Sequence, residues 1–149
     1  MKVAVYGRTF DQGFLSYIQN FFHHLDHYGF QIIVYQHFLD YMKEQYQFHP
    51  PLNKSFTGYE DIDEDVDFLI SIGGDGTLLD TVSLVRGTHI PVIGINTGKL
   101  GFLANIAKEE IPGAIKSLYY GKYTVEDRSL LHLRSEETIF PNFSYALND

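Results

Sequence analysis

The chain has 149 residues, enough for one domain with a substantial core and too few for several. Hydrophobic residues make up 44%, with 11 Tyr and 12 Phe as much of the bulk, and a charged fraction of 20% argues against wholesale disorder. The net charge of −8 disfavours a nucleic-acid groove or an anionic membrane surface, both of which need basic patches. With no cysteine, disulfides and thiolate metal sites are excluded, and a cytoplasmic protein is expected. No apolar run reaches the length of a spanning helix, and the start reads as a strand rather than a signal peptide.

Residues 2–6 read as a buried strand broken by Gly7. From Asp11 to Tyr28 the pattern is helical, with Phe14, Ile18, Phe21, Phe22 and Leu25 on one stripe and Gly29 as the stop. Residues 30–35 are a second strand, residues 38–47 a short helix, and His49-Pro50-Pro51-Leu52-Asn53 a loop. The stretch Glu60 to Asp67, six acidic residues in eight, is a solvated connection. A third strand at 68–72 is broken by Gly73-Gly74-Asp75-Gly76-Thr77, followed by a helix from Leu78 to Val85 and a fourth strand at 91–95. Residues 108–120 form a further helix that stops at Gly121. Beyond Lys122, Tyr123, Val125, Leu130, Leu131 and Leu133 suggest antiparallel strands, with one more from Phe143 to Leu147. The expected fold is α/β: a doubly wound, mainly parallel sheet with helices on both faces, ending in a few antiparallel strands. The chain stops directly after a strand, so a truncated protein is expected.

Gly73, Gly74, Asp75, Gly76 and Thr77 stand at the carboxyl end of a parallel strand and open a helix, where open α/β sheets bind ligands. Glycines let a phosphate approach main-chain N–H groups, and a helix start adds free donors and a partial positive charge. Thr77 can cap that helix or donate its hydroxyl to phosphate. An acidic protein can thus bind a polyanion through amides, a dipole and Mg²⁺. The segment is no Walker A loop, because the closing Gly-Lys-Ser/Thr is missing. Asp75 repels phosphate unless a metal or hydroxyl intervenes, so it reads as acceptor for a substrate hydroxyl, as a Mg²⁺ partner, or as a helix cap. The helix dipole should lower its pKa, against what a strong general base requires.

Asn96-Thr97-Gly98-Lys99-Leu100-Gly101-Phe102-Leu103 follows the fourth strand, on the same edge as Asp75. Gly98 and Gly101 permit a folded loop, Lys99 can reach a phosphate, and Phe102 either stacks on a base or enters the core. Arg8 follows the first strand on that edge and either touches a phosphate or lies on the surface. His23 and His27, four apart on the first helix, read as a solvated face in the absence of a third metal ligand.

These motifs resemble the NAD kinase family. Residues 73–77 match its GGDGT signature, residues 96–103 its NTG-x-LGFL segment, and Asn148-Asp149 the position of its Asn-Glu or Asn-Asp pair. The first motif is shared with diacylglycerol and sphingosine kinases; the second is far more specific. Strong similarity covers about residues 66–105 and the last four, while the first 60 residues match only in pattern. The resemblance implies transfer of the ATP γ-phosphoryl group to the 2′-hydroxyl of the adenosine ribose of NAD, with Mg²⁺ or another divalent cation on the ATP phosphates, near Asp75. It implies Asp75 as the catalytic aspartate, with Gly74 and Gly76 lining the phosphate and ribose site; Gly73, Thr77 and Arg8 are added as phosphate candidates from their place on that edge and not from the resemblance. Asn96, Lys99, Leu100, Gly101, Phe102, Asn148 and Asp149 would form the NAD side. Asp149 is one methylene shorter than the Glu of many members, which weakens its reach. The family also carries a C-terminal β-rich domain, so residues 1–149 are expected to be the N-terminal domain of a longer, homo-oligomeric protein with little activity alone. The alternatives are a lipid kinase catalytic domain or a nucleotide-binding regulatory module without turnover; neither nucleic acid nor membrane is an expected partner.

Overall fold

A computed structural model describes residues 1–132 and 144–147. The four continuous apolar runs become β1 (Lys2–Gly7), β2 (Gln31–Tyr35), β4 (Phe68–Gly73) and β5 (Val92–Asn96). Together with β3 (Lys54–Phe56) they form a five-stranded sheet in the order β3-β2-β1-β4-β5, parallel throughout. β1 and β4 are apolar on both faces because both faces are covered, as parallel sheets require. β3 is absent from the sequence reading: two of its three residues are exposed, so it shows no hydrophobic run. Its pairing is prepared by Asn53, whose side-chain oxygen accepts the Ile32 N–H at 2.7 Å.

Three helices cover one face: α1 (Leu15–His27), α2 (Gln36–Tyr46) and α4 (Ile111–Tyr119) bury Phe21, Phe38 and Ile115 against Val3, Val5 and Ile70. α3 (Asp75–Val85) covers the other, over Ala4, Tyr6, Ile33 and Leu69. The whole predicted stripe of α1 is buried, including Phe14 in the short 3-10 turn before it. Each such side chain contributes about 1.5–3 kcal/mol relative to exposure. α3 starts at Asp75, three residues earlier than the pattern suggests, because Gly74 is the cap residue and Asp75-Gly76-Thr77 form the first turn.

β6 (Leu130–His132) and β7 (Tyr145–Leu147) make the expected antiparallel pair. Tyr123 and Val125, read as strand residues, lie in an irregular segment; Val125 is exposed, and the half-exposed Tyr123 ring packs edge-on against Phe68 of β4 at 5.1 Å instead of joining a strand. Leu133, Phe143, Asn148 and Asp149 lie outside the described residues. The acidic connection is tied down as well as solvated: Lys2 Nζ meets Asp63 at 2.6 Å and Asp65 at 2.8 Å, and Lys54 Nζ meets Asp63 at 2.7 Å.

The strand order reverses direction between β1 and β4. There β1 leads to crossovers on one face and β4 to the crossover on the other, which opens a crevice at the carboxyl ends. Gly7 pairs with Ile72, Ile72 with Ile95 and Gly73 with Asn96, so the loops after β1, β4 and β5 emerge at one level.

Candidate functional site

The glycine turn after β4 and the loop after β5 are joined by one carboxylate. Oδ2 of Asp75 accepts the Phe102 N–H at 2.9 Å; Oδ1 accepts the N–H groups of Leu103 at 3.1 Å and Ala104 at 2.9 Å. These bonds, Ala104 first and then Phe102, hold the carboxyl below its ordinary range against the opposing effect of burial. The direction agrees with the expectation from the helix dipole, but the cause is the neighbouring loop. The side chain therefore caps no helix.

Glycines make this encounter possible. A Cβ on Gly101 would land on the Asp75 carboxyl group. A Cβ on Gly94 would sit 2.6 Å from the Ala104 Cα, where the chain returns along β5. That return is fixed by the Ile106 N–H to Gly94 O bond at 3.2 Å and the Asn96 N–H to Ile106 O bond at 2.8 Å. Gly94 and the main chain of Ala104 were not among the sequence candidates. A glycine inside a strand pattern is the usual sign of close backbone approach and could have pointed there.

A Cβ on Gly73 would collide with the Thr77 side chain, so the turn closes tightly at its root. Gly74 and Gly76 have no such neighbour within 4 Å. The N–H groups of Asp75 and Gly76, in the first turn of α3, have no helical carbonyl to bond, which leaves donors for an anion.

Phe102 is 90% exposed and Leu100 61%, so the core alternative for Phe102 is overturned: its N–H is held by Asp75 and its ring stands in solvent. Lys99 is exposed between the two glycines of the loop. Asn96 is buried, 4% exposed. Its Oδ1 accepts the Gly98 N–H at 2.8 Å and its Nδ2 donates to the Ala104 carbonyl at 3.3 Å, so its side chain shapes the loop from within.

On the other side of the crevice, Arg8 reaches Asp80 of α3 at 2.8 Å, and the Tyr6 hydroxyl donates to the same carboxylate at 3.2 Å. Burial raises the Tyr6 pKa. The loop beyond Arg8 is pinned by the Phe10 carbonyl, which accepts the hydroxyls of Tyr41 at 2.6 Å and Tyr46 at 2.9 Å. The site thus gathers Arg8, residues 73–77 and residues 96–104. An open hollow of about 670 Å³ beside it, between α3 and β5, shares Phe102 and Leu103 in its wall but does not include Asp75.

Among the described residues no group of three or more His, Asp or Glu could hold a metal ion. The rings of His23 and His27 lie 6.4 Å apart on α1, away from the crevice. No described helix is long and apolar enough to cross a membrane.

A doubly wound sheet, a glycine-rich turn into a helix at its switch point, and one carboxylate held there define an α/β domain of the class that offers a ligand crevice at the carboxyl ends of its strands. The family described as the ATP-NAD kinase N-terminal domain matches residues 14–123, and the chain belongs to it. Relatives named NAD kinase share 35% identity in Cytophaga hutchinsonii and 37% in Bacteroides fragilis, each over all of this chain. The chain spans about half the length of these relatives, 51% and 50%. The crystal structure of yeast NADH kinase complexed with NADH superposes with a TM-score of 0.70 at 25% identity, covering 99% of this chain and 45% of the yeast chain.

Proposed function

We propose that residues 1–149 are the N-terminal α/β domain of an NAD kinase, which transfers the γ-phosphoryl group of ATP to the 2′-hydroxyl of the adenosine ribose of NAD. The observation that carries this reading is the meeting of Asp75 with residues 101–104 at the carboxyl ends of β4 and β5. One loop offers main-chain donors to phosphate, the other offers an exposed aromatic ring to a base, and the carboxylate lies where they join.

In the reaction the 2′-oxygen forms a bond to the γ-phosphorus as the bond to ADP breaks, and the 2′-hydroxyl proton leaves through Asp75. A carboxyl held below its ordinary pKa is a weak base. It orients the hydroxyl and accepts its proton late, which a loose phosphoryl-transfer transition state tolerates. The amides of residues 74–76 and the guanidinium of Arg8 take the phosphates, with Thr77 behind them. Lys99 extends toward phosphate, while Leu100, Gly101 and Phe102 form the adenine side and Asn96 holds that loop in shape. Asn148 and Asp149 complete the adenosine contacts. A divalent cation such as Mg²⁺ arrives with the ATP phosphates as part of the substrate. Relatives twice as long support a longer parent protein, which we place in the cytoplasm as a homo-oligomer.

The test is NADP formation from ATP and NAD by the whole parent protein, with diacylglycerol as the competing acceptor. NADP is the expected product. Asp75→Asn should lower turnover by about 10²–10⁴-fold while NAD still binds. Unchanged turnover in that variant removes Asp75 from the reaction, and phosphorylation of diacylglycerol alone overturns the assignment.

A further inference from the structure

We propose that the main chain of Gly101–Ala104 is the positioning element for the Asp75 carboxylate and leaves Oδ2 as the atom that meets the acceptor hydroxyl. This deepens the reading above and rests on it for the identity of the acceptor. An ionised carboxylate offers about four lone-pair directions, two on each oxygen. Oδ1 spends both of its own on Leu103 and Ala104; Oδ2 spends one on Phe102. A single direction remains, on Oδ2, beside the residue that carries the exposed ring.

The carboxylate is thereby fixed in rotation as well as in place, because its two oxygens are bound to different N–H groups. It is also fixed relative to Phe102, since the same residue donates the N–H and bears the ring. A base seated on that ring and a hydroxyl presented to Oδ2 share one reference frame. Gly101 is the residue that permits this. The three atoms nearest to a Cβ built there are all of the Asp75 carboxyl group, and the backbone of Gly101 is not in the left-handed region. Alanine at 101 therefore conflicts with Asp75 before anything else.

The experiment uses the whole parent protein with Gly101→Ala, Asp75→Ala and the double variant. Thermal unfolding should show Gly101→Ala lowering Tm in the presence of Asp75 and leaving it unchanged in the Asp75→Ala background. Such a cycle reads the contact without any activity. For turnover, Gly101→Ala should reduce kcat by on the order of 100-fold, as expected for a reacting group misplaced by about 1 Å, with KM for ATP within about twofold of the parent. The amide proton resonances of Phe102 and Ala104 should move upfield as their carboxylate acceptor withdraws. Equal loss of Tm in both backgrounds overturns the contact. A clear cycle with unchanged kcat overturns the positioning role. If the parent makes no NADP, the kinase reading fails, while the cycle and the amide resonances still decide whether this loop holds Asp75.

Discussion

Gly7 and Gly94 show how far the crevice depends on side chains that are missing. At Gly94 the neighbours are the Ala104 main chain, which cannot yield, and a Leu78 methyl, both 2.6 Å from where a Cβ would stand. At Gly7 the neighbour is the Phe38 ring, 2.7 Å from where a Cβ would stand. Phe38 is fully buried between α2 and the sheet, so the ring has no free volume to retreat into. Gly7→Ala should cost about 1–3 kcal/mol, the usual range for overpacking a tight core. Phe38→Leu removes the ring edge that causes the conflict. Urea unfolding of the two single variants and the double should therefore show the double more stable than the sum of the singles. Strict additivity would mean that Gly7 is required for some other reason. Because Gly7 ends β1 immediately before Arg8, this packing contact also sets where the crevice begins.

At the level of elements, helix ends separate what the sequence displays from what it hides. α1 and α4 end in the same way. Gly29 donates to Asp26 O and Phe30 to Leu25 O; Gly121 donates to Leu118 O and Lys122 to Ser117 O. Both glycines have φ near +69° and +66°. α2 makes a left-handed ending with Gln47, at φ 52°. A Cβ on Gly29 meets nothing within 4 Å, so Gly29→Ala tests backbone conformation alone and should cost about 1 kcal/mol in chemical unfolding. Gln47→Gly should stabilise by about 0.5–1 kcal/mol, since it relieves the same strain. A destabilised Gln47→Gly variant would show that the glutamine side chain outweighs its backbone. The contrast explains the legibility of the fold. Gly29 and Gly121 announce their turns, and the runs of β1 and β4 announce burial on both faces, so the alternating pattern was readable. β3 was not, because three residues with one buried side chain carry no period. In the site, Gly73–Thr77 and Asn96–Leu103 stood out as motifs. The bonds from Phe102, Leu103 and Ala104 to Asp75 did not, because main-chain donors are the same at every residue and only the fold selects which ones converge.

For the molecule as a whole, the carboxylates bind its distant segments, and this fixes its response to acid. Asp63 joins Lys2 of β1 to Lys54 of β3 across the sheet edge and is held down to about 2 by its hydrogen bonds from Lys2 and then Lys54. Asp61 is lowered by the Thr57 N–H and then the Thr57 hydroxyl, and Asp75 by the loop amides. All three carboxyls are thus depressed in the folded state relative to about 3.9 in an unfolded chain. A depressed folded pKa means that the unfolded chain binds protons first as pH falls. The stabilisation is complete above the unfolded pKa and disappears as pH drops through the folded values. The urea midpoint should accordingly be level above about pH 5 and fall steadily from pH 4 toward pH 2. Asp63→Asn should lower the midpoint at pH 6 and flatten the fall, so that the two curves converge near pH 2, where the parent carboxyl is itself half protonated. High salt should narrow the gap at pH 6, because Asp63 and Lys54 are both substantially exposed and their attraction is screened. Coincident curves for the two proteins would mean that the Lys2–Asp63–Lys54 tie contributes nothing in solution, and a constant offset would mean that Asp63 acts through something other than its charge.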